Sequence, residues 1–192
     1  MAYPSKYEYL LNKEELKKII KEHYDNNSIL NAEFSEQDIK ISFSRAENEL
    51  KQAEALFEIS TNKHLKENLN LLDSDTFFSG AITHSYYSIF FAAKSLLQRE
   101  HKKTKSPNIH KATLDAFSFF LILTGRLDIE LFKIYKSNLI KADALLGLFL
   151  TEKEKRGTFT YHTLPDANLK PAKESLKNAT IFLSSIKELV FK

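Results

Sequence analysis

The chain contains no cysteine. That absence excludes a disulfide framework, thiolate zinc sites, iron–sulfur ligation and a thiol nucleophile, and it fits a reducing compartment, so the cytoplasm is the expected location. Glycine and proline are scarce, four of each in 192 residues, and no Asn-Gly or Asp-Gly pair separates alternating apolar runs. Hairpin-rich β architectures therefore lack their usual turn signals. No stretch approaches the roughly 20 apolar residues that span a bilayer. The N-terminal MAYPSKYEYLLNKEELKK lacks the apolar core of a signal peptide, so no membrane association is expected. A dominant charge sign is missing too. Lysine and arginine total 28 against 25 acids, a formal net charge of +3, and only local clustering among the lysines could mark a nucleic-acid surface. GxGxxG, GxxxxGK[ST], HExxH, GxSxG and the EF-hand loop are all absent, which removes the common nucleotide, metal and serine-hydrolase signatures.

What is present points to helices. With 43% hydrophobic residues the chain can build one sizeable core. Residues 13–24 place Leu16, Ile19, Ile20 and Tyr24 at helical spacing before the polar 25-DNNS-28 interrupts, which predicts a short leading helix. The stretch 35-SEQD-38 reads as a capping box in which Asp38, shorter than the usual glutamate, reaches back less easily. Behind it Phe43, Ala46, Leu50, Ala53 and Phe57 form one apolar face. After the polar 60-STNKHLKENLN-70, residues 75–100 are apolar over most of a helical circumference. Gly80, Ala81, Ala92 and Ala93 permit close approach there, so this is the expected central helix. The loop 101-HKKTKS-106 leads into Ser106-Pro107, an N-cap followed by proline at the first helical position, and Gly125 suits the stop of that helix. Phe132, Tyr135, Leu139, Ala142, Leu146 and Phe149 lie on one stripe. Ala172, Leu176, Ala179, Leu183, Ile186 and Val190 repeat the pattern, so the last two helices are expected to pack lengthwise and antiparallel. The fold class is all-α, an up-and-down antiparallel bundle over 35–192, with residues 1–34 as an N-terminal helical extension.

Several side chains could carry chemistry. His84, in the central helix beside Tyr86 and Tyr87, reads first as a packing histidine and second as a cleft residue. His23 and His64 have no neighbours at metal-ligand spacing, so surface positions and no metal site are expected. His101, Lys102, Lys103, Lys105, His110 and Lys111 make a basic turn, a solvated connection or else a phosphate contact. Arg156 and His162 are separated by five residues in 156-RGTFTYH-162. In a continuous helix six steps turn about 240° beyond a full revolution, so the two would face apart. Gly157, Thr158 and Thr160 favour a turn or helix entry that brings them together. A guanidinium can hold two phosphate oxygens while an imidazole moves the proton of a ribose 2′-hydroxyl. Those two actions suffice for RNA cleavage without a metal or another cofactor.

The segment 75-DTFFSGAITHSYYSIFFAAKSLL-97 resembles the "AYYAMFHAARALL" helix of HEPN-domain proteins, through Ala81, Tyr86, Tyr87, Phe90, Ala92, Ala93 and Leu96-Leu97. The following 106-SPNIHKATLDAFSFFLILTGRLD-128 is similar to that branch's next segment through His110, Phe120 and Thr124-Gly125, and 156-RGTFTYH-162 falls where the family carries R-x4-6-H. The resemblance covers residues 40 to 192. It implies a helical bundle that dimerises to bring two Arg-His pairs to a shared cleft. In active members it implies a metal-independent ribonuclease, often a toxin or defence effector, whose product carries a 2′,3′-cyclic phosphate. Carried over, Arg156 binds the phosphate and His162 is the acid or base; Tyr161 and, from the basic turn, Lys102, Lys103 and Lys105 are the candidate substrate contacts. The related branch often shows RxxADY, whose tyrosine matches Tyr161, whereas this chain has Thr160 for the acid and places His162 directly after the tyrosine. The expected partners are RNA, a second copy of the chain, and a nucleotidyltransferase or antitoxin. The alternative is a non-catalytic HEPN module that pairs with such a partner.

Overall fold

The computed structural model describes residues 5–154 and 168–191. A 3-10 helix over Ser5–Leu11 precedes α1 (Lys13–Asp25), β1 (Ile29–Asn31), α2 (Glu36–Thr61), α3 (Lys63–Asn68), α4 (Phe78–Arg99), β2 (Lys102–Thr104), α5 (Ile109–Phe117), α6 (Ile129–Glu154) and α7 (Leu169–Val190). Among the described residues the sheet is limited to the two three-residue strands. The chain is all-α, with the helix packing of a bundle. Its contacts divide it into two units. One is made of residues 1–43, 90–133 and 186–192, the other of 44–89 and 134–185.

In the second unit the helices run antiparallel in pairs. Along α2, Ala46, Glu49, Leu56 and Phe57 meet Ser88, His84, Gly80 and Phe78 of α4, so numbers rise on one helix as they fall on the other. Along α6, Tyr135, Asn138 and Lys141 meet Phe182, Ser175 and Glu174 of α7 in the same sense. The expected antiparallel packing of the last two helices is thus observed, with Asn138 Nδ2 donating to the Ser175 carbonyl at 3.1 Å. Phe78, Ala81, Ile82 and Ala172 form a buried cluster against which Leu56 and Phe57 pack. Tyr135 and Phe182 are fully buried, and each such side chain contributes about 1.5–3 kcal/mol of hydrophobic stabilisation. Gly80 belongs to this close approach, since a Cβ there would lie 2.8 Å from Leu56 Cδ1.

In the first unit β1 pairs antiparallel with β2, Ile29 opposite Thr104 and Asn31 opposite Lys102. The chain expected to be a simple loop at 101–106 therefore contains a strand. His101 enters it at φ 56°, while Ile29 and Thr104 are buried. Helix α2 begins at the expected capping box, and Asp38 does reach back. Its Oδ2 accepts from the Ser35 amide at 3.0 Å and from the Ser35 hydroxyl at 2.7 Å, while Ser35 Oγ accepts from the Asp38 amide at 3.1 Å. These bonds hold the Asp38 carboxyl below its ordinary range. Helix α5 starts at Ile109 with Asn108 at its N-cap rather than at Pro107. It passes into one π-helical turn over Ser118–Ile122, whose i→i+5 bond joins Leu123 N to Ser118 O. Gly125 closes that element at φ 74°, a left-handed conformation that suits glycine. At the end of α7, Arg99 donates to the Val190 carbonyl from Nε at 3.1 Å and from Nη2 at 2.6 Å while pairing with Glu36. A guanidinium there satisfies carbonyl groups that helix geometry leaves open.

Candidate functional site

Arg156, Tyr161 and His162 lie outside the described residues. The basic turn is described, and its cations do not converge. Strand alternation separates Lys102 from Lys103. Lys102 Nζ donates to Asn31 Oδ1 at 2.6 Å and lies 4.9 Å from the centre of the Phe120 ring. Lys103 is exposed and lines a cleft with Lys94 and Asp38, whereas Lys105 is exposed and its amide donates to Ser28 O. His101 pairs with Glu33 at 3.1 Å, His110 lies tilted against Phe90 with ring centres 4.5 Å apart, and Lys111 reaches Asp115. The turn is therefore several local contacts, with Lys103 and Lys105 offering charge to solvent.

In the second unit His84 is neither fully packed nor free. Its Nδ1 lies 2.7 Å from Glu49 Oε2, with side chains 30% and 12% exposed, and Arg45 Nε stands 3.9 Å from the other carboxylate oxygen. A carboxylate in this position holds the orientation of the ring through its Nδ1. The pairing was not legible in the sequence, because Glu49 sits on the polar side of α2, 35 residues from its partner.

The first unit holds the most concentrated buried chemistry. Asp115 on α5 is fully buried. Its Oδ2 lies 2.7 Å from both His23 Nε2 and Lys111 Nζ, and its Oδ1 accepts from the Tyr9 hydroxyl at 2.8 Å. Burial, then the Asp115 charge and hydrogen bond, push the Tyr9 hydroxyl well above its ordinary 10.0. His23 was expected at the surface and is instead 5% exposed, with its Nδ1 unpartnered among the described residues. The partners of this cluster were not legible in the sequence, which shows only that Asp115 stands between the apolar Leu114 and Ala116. A carboxylate in that position has to be paired. The cluster joins the 3-10 helix and α1 to α5, and its short bonds and burial describe a clasp. Among the described residues no group of three metal-ligating side chains occurs, and no helix is long and apolar enough to cross a membrane.

No family model matches the chain, and no solved structure matches it. A comparison with curated proteins finds 36% identity over 83 residues to the protein named "Putative toxin MJ0142" of Methanocaldococcus jannaschii. The match covers 43% of this chain and 53% of that protein, so the chain spans about half the length of the curated relative it matches.

Proposed function

We propose that the chain is a metal-independent endoribonuclease of the HEPN type, acting as a toxin or defence effector on cytoplasmic RNA. The observation that carries the reading is the likeness, over 83 residues, to the protein named "Putative toxin MJ0142", in a chain whose HEPN-like segment 75–97 falls, from Phe78 on, on the largely buried helix α4. Arg156 holds the scissile phosphate and His162 takes the proton of the 2′-hydroxyl. The 2′-oxygen attacks phosphorus, the P–O5′ bond breaks, and the departing 5′-oxygen takes up a proton. The products are a 2′,3′-cyclic phosphate and a 5′-hydroxyl, with no metal in the balance. A homodimer would set two Arg156–His162 pairs at one cleft, and an antitoxin, a nucleotidyltransferase being one form, would hold the activity in check.

Purified protein is incubated with mixed RNA in excess chelator, and the 3′ ends of the products are analysed. The reading expects chelator-resistant cleavage leaving cyclic phosphate. Cleavage that requires a divalent ion refutes it, and no cleavage by pure, folded protein favours the non-catalytic interaction module.

A further inference from the structure

Over its first 17 residues, 169–185, helix α7 belongs to the second unit, and one of its faces is buried there. Ala172, Ser175, Ala179 and Phe182 are fully buried, and at about 100° per residue they lie between about 220° and 300° from Leu169 around the helix. Lys173, Lys177, Lys170 and Ile181 fall between about 40° and 120° on the same scale. The three lysines are exposed, and Leu169 and Ile181 are each 41% exposed. The helix therefore shows solvent a strip about 18 Å long from Leu169 to Ile181, at about 1.5 Å of rise per residue.

The strip carries charge of one sign. Lys63, Lys111, Lys133 and Lys141 all bring their ammonium groups to carboxylates, whereas Lys170, Lys173 and Lys177 are in no ion pair among the described residues. Glu174 is the acid between Leu169 and Ile181, and Lys141 of α6 engages it at 2.9 Å. The whole chain has a formal excess of three positive charges. Three uncompensated lysines within two turns thus gather on one helix face as much charge as the chain carries in excess.

Charge alone describes a solvated face, but Leu169 and Ile181 bracket this one with an exposed aliphatic side chain at each end. A phosphate backbone complements the lysines and leaves both aliphatics uncovered, and the strip has no aromatic ring or guanidinium on which a base stacks. A bilayer surface takes a helix whose apolar face is turned outward, and the broad apolar face of α7 is turned into the core. Carboxylates set between two apolar side chains on a second helix complement both features, as flanking charges and an apolar seam do where helices pair. We infer that the outer face of α7 from Leu169 to Ile181 docks an acidic amphipathic helix of a partner protein. Its carboxylates meet Lys170, Lys173 and Lys177, and its apolar side chains cover Leu169 and Ile181. The surface stands without the ribonuclease reading, and only calling the partner an antitoxin rests on that reading.

The probe is a synthetic helical peptide of about 18 residues, long enough to reach both ends of the strip, with glutamates on one face between two leucines. Its binding to the full chain is followed by fluorescence anisotropy in chelator at low and at high salt, beside the same peptide with lysines for the glutamates, an oligouridylate, and phosphatidylserine vesicles. Wild type should bind the acidic peptide more tightly than the other three, and salt should weaken that binding. Lys173→Glu combined with Lys177→Glu should weaken it at least about tenfold, the loss of two surface ion pairs plus repulsion, and should create binding of the lysine peptide. Leu169→Ser combined with Ile181→Ser should weaken the acidic peptide by a similar factor. All four positions are exposed, so the melting temperatures should stay near that of wild type. Peptide binding by a protein that cleaves no RNA keeps the surface and removes the antitoxin. No binding of the acidic peptide at millimolar concentration, tighter binding of the oligouridylate or the vesicles through the same lysines, or full binding after loss of both aliphatics overturns the inference.

Discussion

Replacing Asp115 by alanine tests whether the buried cluster is the clasp that holds the N-terminal helices to α5. The carboxylate is fully buried, and its loss leaves His23, itself 5% exposed, and the Tyr9 hydroxyl without an acceptor. Each buried polar group left unsatisfied costs about 1–3 kcal/mol, so the two together cost about 4 kcal/mol. Lys111 adds little, because its side chain is 53% exposed and water replaces the lost contact. In a chain of this length about 1 kcal/mol corresponds to roughly 2–4 °C in Tm, so a loss of about 4 kcal/mol lowers Tm by roughly 8–16 °C. Urea unfolding followed by circular dichroism measures the first quantity and a thermal melt the second. Lys111→Ala should cost less than about 1 kcal/mol. His23→Ala combined with Asp115→Ala should cost less than the sum of the two singles by about 1 kcal/mol or more, the signature of a direct pair. An Asp115→Ala protein within about 1 kcal/mol of wild type, or additive single costs, refutes the clasp.

Three further outcomes follow from the structure. The raised Tyr9 hydroxyl means the folded state favours its neutral form; that stability is complete below 10.0 and is lost as pH rises toward the folded value. Urea midpoints should therefore fall between pH 9 and 11 in wild type, and Tyr9→Phe should flatten the decline. The depressed Asp38 carboxyl works in the opposite direction, contributing above its ordinary 3.8 and losing that contribution as pH falls through the lower folded value. Ser35→Ala should cost about 1 kcal/mol at neutral pH, and the gap from wild type should narrow in acid. Gly80→Ala should lie within about 1 kcal/mol of wild type, because the helix-propensity gain offsets displacement of a flexible Leu56 terminus. Gly80→Phe should fail that limit in a urea titration.

The helices were legible because their packing writes a period into the chain. Phe132, Tyr135 and Leu139 of α6 and Ala172, Ala179, Leu183, Ile186 and Val190 of α7 are buried as their spacing required, and the antiparallel pairing of those helices followed from matched stripes. Phe182 and Ser175 widen the α7 stripe beyond the strict heptad, since a globular core uses more than one seam. The β1–β2 pair was not legible. Strands of three residues, one of them with two lysines, carry no period, and the partners lie up to 75 residues apart, Ile29 opposite Thr104. The same physical reason hid both histidine–carboxylate pairs, 35 and 92 residues apart, since local pattern does not encode long-range polar matching. In the lysine turn, residue type gave the charge but not its direction, which strand alternation splits between Lys102 and Lys103. Arg156, Tyr161 and His162 rest on the order of three family-like segments, of which 75–97 and 106–128 lie within the described residues and 156–162 lies outside them.

The most direct measurement compares wild type, Arg156→Ala and His162→Ala on one RNA in excess chelator, with melting curves to establish that all three fold. The account predicts cleavage to 2′,3′-cyclic phosphate ends by wild type and a loss of at least about 100-fold in each variant, the usual contribution of a positioned acid–base group. Equal cleavage by all three proteins would contradict it.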